Sequence, residues 1–214
     1  MPMDEKMIRK LMDGREYRRI DVSGIELRDE GNGQMIVEGY ATTFGQFYEL
    51  WRSKWYVVNE QVDARSFDEC DMSDVIFQYD HKGRVMARTR NHTLEVTPDQ
   101  HGLKIRANLG GTELGRQLYE EIKGGYTNKM SFGFTVSKQE RTEELVEGKT
   151  IVHRKITGIK KLYDVSAVSL PANDATEISA RNFSEGVIAE IEKELLAVKA
   201  RQRKIQKIRI MMEV

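Results

Sequence analysis

The sequence has 214 residues, 39% hydrophobic and 32% charged, which suits one domain with appendages or two small domains. Basic and acidic residues balance at 34 each, so no global field favours nucleic acid or a membrane surface. The apolar runs are far too short to span a bilayer, the first residues lack the apolar stretch of a secretion signal, and a single cysteine, Cys70, excludes an internal disulfide framework and fits a reducing compartment.

Residues 3 to 12 read as a short helix with Met3, Met7, Ile8 and Leu11 on one face. Basic residues follow it with acidic ones interleaved, the pattern of a solvated helix rather than a nucleic-acid arm. From Tyr17 the pattern turns to strands. Residues 17 to 28 and 34 to 45 flank a Gly-rich turn and read as an antiparallel hairpin. Gly39 inside the second strand marks a bulge or a close backbone approach. Residues 46 to 54 read as a loop carrying Phe47, Tyr48 and Trp51, residues 55 to 62 as a strand, and residues 64 to 72 as the start of a helix. Residues 75 to 81 form a predicted strand with Val75, Phe77, Tyr79 and His81 on one face. Residues 84 to 89 and 92 to 97 read as a second hairpin, followed by a strand over 103 to 109.

Residues 112 to 123 form an amphipathic predicted helix, stopped by Gly124 and Gly125. The next strand, 130 to 137, alternates. Met130, Phe132, Phe134 and Val136 suit a core, while Ser131, Gly133, Thr135 and Ser137 make a small, hydroxylated, open face. An acidic hairpin loop over 138 to 150 leads to strands at 150 to 160 and 162 to 170, ended by Pro171. Residues 172 to 184 read as a polar loop. From Glu185 the chain reads as helix, with Ile188, Ile191, Leu195, Val198 and Ile205 near a heptad seam. Its acidic first half and basic second half complement the helix dipole, and it is a candidate for self-association or partner binding. The whole reads as a β-rich α+β fold, an antiparallel or mixed β-barrel surrounded by helices. It divides into a helical segment at 1–16, a main domain at 17–184 and a helical tail at 185–214.

Acyl transfer needs a nucleophile, a base within reach and a group that orients the base. Ser131, with Gly133 beside it on the open face, leaves room for a substrate backbone. Of the four histidines, His81 stands at a strand end before a Gly-containing turn, where side chains reach clefts; His92, His101 and His153 are accounted for by exposure, turn geometry and a sheet position. Asp164 lies among apolar and small residues, where a charge is expensive unless paired. An imidazole partner and an edge position facing water explain it about equally. Cys70 with His81 is a second nucleophile pair, but Asp68, Glu69 and Asp71 disfavour a thiolate there. The histidines and the cysteine lack the close spacing of zinc ligands, and no phosphate loop or Gly-x-Ser-x-Gly elbow is present. No cofactor or metal is expected.

From residue 17 to 175 the sequence resembles the prohead (capsid-maturation) serine proteases of tailed bacteriophages, related in fold to the herpesvirus assemblins. The resemblance is carried in order by VEGYATTFG at 37 to 45, ARSFDE at 64 to 69, YDHKGRVMART at 79 to 89, MSFGF at 130 to 134 and LYDVSAVSLPAN at 162 to 173. It implies Ser131 as nucleophile, His81 as general base and Asp164 as third member, where the family often has Glu and the assemblins a second histidine. It implies a serine endopeptidase that removes the scaffolding part of the major capsid protein inside the immature procapsid, in the bacterial host cytoplasm, and then processes itself. The terminal helices become candidates for removable or scaffold-binding segments. The loop 172 to 181 is the candidate source of oxyanion donors.

Two other readings compete. One is a catalytically silent capsid-assembly or scaffold protein with the same fold, for which Ser131 and His81 need not meet. The other is a nucleic-acid binder, which rests only on the basic run 199 to 209 and is disfavoured by the balanced charge.

Overall fold

The computed structural model describes residues 15–20, 25–29 and 33–169. Its backbone is one long antiparallel hairpin, β10 (Lys129–Val146) and β11 (Lys149–Val168). Both strands are rich in β-branched and aromatic residues, which suit a pleated, half-buried surface. Glu147 and Gly148 make the turn, both at positive φ (47° and 78°), as the twist of a two-residue hairpin requires.

A seven-stranded sheet grows from this hairpin. The first strand, β1 (Arg15–Ile20), pairs antiparallel with β10, matching Tyr17 to Gly133 and Arg19 to Ser131. The other edge of β11 is shared. Its first half pairs in parallel with β5 (Tyr56–Val62), which carries β4 (Tyr48–Arg52). Its second half pairs in parallel with β6 (Ile76–Tyr79), which carries β7 (Lys82–Arg88). A second sheet of four strands has the order β2 (Glu26–Asp29), β3 (Met35–Thr43), β9 (Gly102–Asn108) and β8 (Leu94–Pro98).

The core draws on both sheets: Val37 and Ala41 of β3, Ile105 and Ala107 of β9, Phe77 of β6, and Phe132 and Phe134 of β10. Leu118, Tyr119 and Ile122 of helix α1 (Glu113–Lys123) close it. The Thr112 hydroxyl accepts from the Gly115 amide at 2.9 Å and caps the helix. Gly125, at φ 76°, turns the chain out of it.

The expected barrel surrounded by helices is not what forms. Strands make up 62% of the described residues and helices 10%, with α1 the one α-helix among them. The two sheets bury their apolar faces with a single helix, so the core needs no ring of helices. The helical segments expected at 1–16 and 185–214 lie outside the described residues, apart from Arg15 and Glu16, which are strand.

Local expectations are corrected as well. The stretch 17 to 28 is not one strand, because β1 and β2 serve different sheets. Residues 64 to 72 do not start a helix. Successive turns bond Ser66 N to Asp63 O, Asp68 N to Arg65 O and Cys70 N to Phe67 O, and they seat Phe67 in the core. The expected loop at 46 to 54 contains β4. The expected hairpin over 84 to 97 does not form, since β7 pairs with β6 and β8 with β9.

Candidate active site

Three neighbouring strands supply the site. On β10 the period of two puts Ser131 and Gly133 on one face. Opposite them on β11 stand Ser166 and Asp164, paired Ser131 to Ser166 and Gly133 to Asp164. On the far side of β11, β6 ends at Tyr79 opposite Ala167. The chain then passes through Asp80 and His81, both at positive φ (46° and 56°). This region costs most side chains roughly 1–2 kcal/mol per residue, though Asp and His enter it more readily than most. The Asp80 amide donates to Ala167 O at 3.0 Å, and its carboxylate accepts from the Ser169 amide at 3.3 Å and the Ser169 hydroxyl at 3.1 Å. So anchored, the turn swings the His81 ring across β11 to β10.

The three residues singled out in the sequence are brought together. His81 Nε2 lies 2.5 Å from Ser131 Oγ. His81 Nδ1 faces Asp164 Oδ1 in direct hydrogen-bond contact. A carboxylate only accepts, so Nδ1 carries the proton and Nε2 presents its lone pair to the serine. Ser131 Oγ also lies 2.7 Å from the Arg18 carbonyl of β1, so its single proton has two acceptors within reach. The Tyr17 ring stands edge-on to the imidazole, with centroids 4.6 Å apart. Ser131 is 0% exposed and Asp164 3%. A polypeptide reaches Oγ only when a covering group moves aside.

Burial overturns the expectation of an open face with room at Gly133. A Cβ there would meet Asp164 Oδ2 at 2.4 Å and Tyr17 Cε1 at 2.8 Å. Glycine is required because the acid and the tyrosine already fill that space, and no gap for substrate is left.

Strand β1 is pinned by charge. Arg18 donates to Glu60 of β5 and to Glu16, and Arg154 of β11 donates to both glutamates, with contacts of 2.9 Å from Arg18 Nη2 to Glu60 and 2.8 Å from Arg154 Nη1 to Glu16. The Tyr48 hydroxyl donates to Glu60, and Arg154 Nε donates to Gln139 at 2.6 Å. Burial alone would push the Glu60 carboxyl up, but Arg18 and Arg154 outweigh it and hold it down at about 2. Burial, then the Glu60 charge, pushes the Tyr48 hydroxyl well above its ordinary value.

The remaining candidates lie elsewhere. Burial pushes the Cys70 thiol up to about 11, with the Asp71 charge adding to it, which leaves little thiolate at neutral pH. His92 caps a 3-10 turn, His101 stands edge-on to the Tyr40 ring, and His153 contacts Glu144 at 3.2 Å. The loop 172 to 181 lies outside the described residues. Sequence reasoning missed Tyr17, Arg18 and Ser166. Only Ser166 left a local signal, since it follows Asp164 by two residues and so shares its face.

Comparison with known proteins adds three findings. The model of the family described as caudovirus prohead serine protease matches residues 23–190. The solved structure of the bacteriophage T4 capsid assembly protease, gp21, is similar at 16% identity and a TM-score of 0.43, over 72% of this chain and 96% of that one. No curated protein matches the sequence.

Proposed function

The chain belongs to the caudovirus prohead serine protease family, and from that premise we propose that it is a serine endopeptidase. It cleaves the scaffolding part of phage capsid proteins within the immature prohead and also trims itself. The observation that carries the catalytic reading is the 2.5 Å contact between His81 Nε2 and Ser131 Oγ. A silent assembly protein with the same fold has no need of it.

The geometry supports the following residue roles. Ser131 Oγ attacks the scissile carbonyl while His81 Nε2 takes its proton. Asp164 holds the imidazole in the Nδ1–H tautomer and stabilises the imidazolium. The tetrahedral intermediate collapses, the C–N bond breaks, and Nε2 returns the proton to the leaving amine. The acyl group is then an ester on Oγ. A water deprotonated by the same nitrogen attacks it, releasing a carboxylate and restoring the serine hydroxyl.

Co-expression with the capsid protein of the same phage tests this. Wild type should shorten the capsid protein, Ser131→Ala and His81→Ala should leave it whole, and Ser131→Ala should also keep its own terminal masses. Cleavage that survives in Ser131→Ala overturns the assignment. Loss of capsid cleavage with unchanged self-trimming would separate the two substrates.

A further inference from the structure

Ser166 is a polar group that the three-residue mechanism does not use. It is 0% exposed, so its hydroxyl depends on partners inside the protein. Its hydroxyl lies 3.1 Å from Asp164 Oδ1 and 3.2 Å from His81 Nδ1. Two features of the sheet put it there. Along β11 it follows Asp164 by two residues and shares its face, and across the hairpin it stands opposite Ser131. It therefore contacts both Asp164 and His81 and pairs in register with Ser131.

Counting hydrogens fixes what it does. His81 Nδ1 has one hydrogen and directs it at Asp164 Oδ1. The Ser166 proton cannot go to Nδ1, whose in-plane position is then taken by N–H. It goes to Oδ1, which accepts two converging hydrogen bonds, while a Ser166 lone pair faces the Nδ1–H. The carboxylate contact disfavours the other tautomer, and Ser166, by donating to Oδ1, holds the carboxylate where it does so. With hydrogen on Nε2 instead, Nδ1 would present a lone pair to the carboxylate and the ring would have none for Ser131.

Resting on the nucleophile reading above, we propose that Ser166 is a positioning residue of the acyl-transfer site, which orients the Asp164 carboxylate and locks His81 in the tautomer that accepts the Ser131 proton. It touches neither substrate nor the reacting atoms. A core hydroxyl of purely structural use would affect stability alone.

The test uses the full chain as wild type, Ser166→Ala, Ser166→Thr and Ser131→Ala. Three quantities are read: the labelling rate by a fluorophosphonate, located by mass on Ser131; the downfield proton resonance of the His81 Nδ1–H; and the melting temperature. Ser166→Ala should label about tenfold more slowly, the order of one hydrogen bond to a charged group. Its Nδ1–H resonance should move upfield or broaden, with melting changed little. Ser166→Thr keeps the hydroxyl and should recover the resonance and most of the rate. Wild-type labelling and an unmoved resonance in Ser166→Ala overturn the proposal, as does a loss of melting temperature that Ser166→Thr shares without recovering the resonance. If wild type is not labelled at Ser131, the nucleophile reading fails, and the resonance alone still decides the place of Ser166.

Discussion

Glu60 and Asp164 are both buried carboxylates of the seven-stranded sheet, and they are held in opposite ways. Glu60 receives two arginines and a tyrosine, and with Glu16 it completes a set of two positive and two negative charges. Every proton there has one sensible place. Asp164 receives an imidazole and a serine hydroxyl, and one step further the Ser131 proton has two acceptors. The balanced cluster fixes β1 in position. The other leaves a proton undecided between the Arg18 carbonyl and His81, and a group in that condition can react. Strand β1 belongs to both: Glu16 and Arg18 reach the charges, while Tyr17 and the Arg18 carbonyl reach the site.

Substitutions can break or sharpen this contrast. The largest effect is expected from Asp164→Asn. It keeps the shape but lets the wrong tautomer form, so capsid-protein cleavage should fall by about 10⁴-fold with little change in the urea midpoint. Retention of activity within tenfold would erase the difference between the clusters. Glu60→Gln should do the reverse. It leaves two buried arginines against one glutamate and should cost about 3–5 kcal/mol in urea denaturation, while fluorophosphonate labelling of the folded fraction falls less than tenfold. Acid gives the next effect. The Glu60 carboxyl is held down at about 2 in the fold, so its contribution is present above the pH at which the unfolded carboxyl titrates, about 4.3, and is lost as pH falls toward 2. Urea midpoints between those limits should drop by an amount corresponding to roughly 3 kcal/mol, and Glu60→Gln should remove that slope. Gly133→Ala should be smallest, about 1–3 kcal/mol of overpacking as the Tyr17 ring and Asp164 give way. It should lower cleavage and stability together, because Gly133 lies where β1 meets the site.

Much of the surroundings of Ser131 was legible because it depends on a period of two. Phe132 and Phe134 in the core, with Ser131 and Gly133 opposite, follow from alternation alone. Asp164 stood out as a charge among apolar neighbours, and His81 as a polar residue at a strand end. What alternation cannot give is the partner across the sheet. Glu60 shares a buried face with Val58 and Val62, and the charges that make that burial tolerable, Arg18 and Arg154, stand 42 and 94 residues away. The role of Gly133 was misread for the same reason, since its space is filled by Tyr17 from a strand far along the chain. At 64 to 72 local helix preference lost to the placing of Phe67 in the core. The helices expected around a barrel were displaced by the second sheet, whose two local hairpins are joined by one long-range pairing, β3 with β9.

The site's contacts join residues 50, 83 and 113 positions apart in the chain. Contacts of such separation form late, because each closes a long loop before any bond repays the lost entropy. A nascent chain emerging from the ribosome has His81 before Ser131 and Ser131 before Asp164. None of them is a site until β11 has been made and has found β6 in parallel. Proteolytic capacity therefore arrives with the finished fold, and heating should extinguish cleavage and native structure in a single transition.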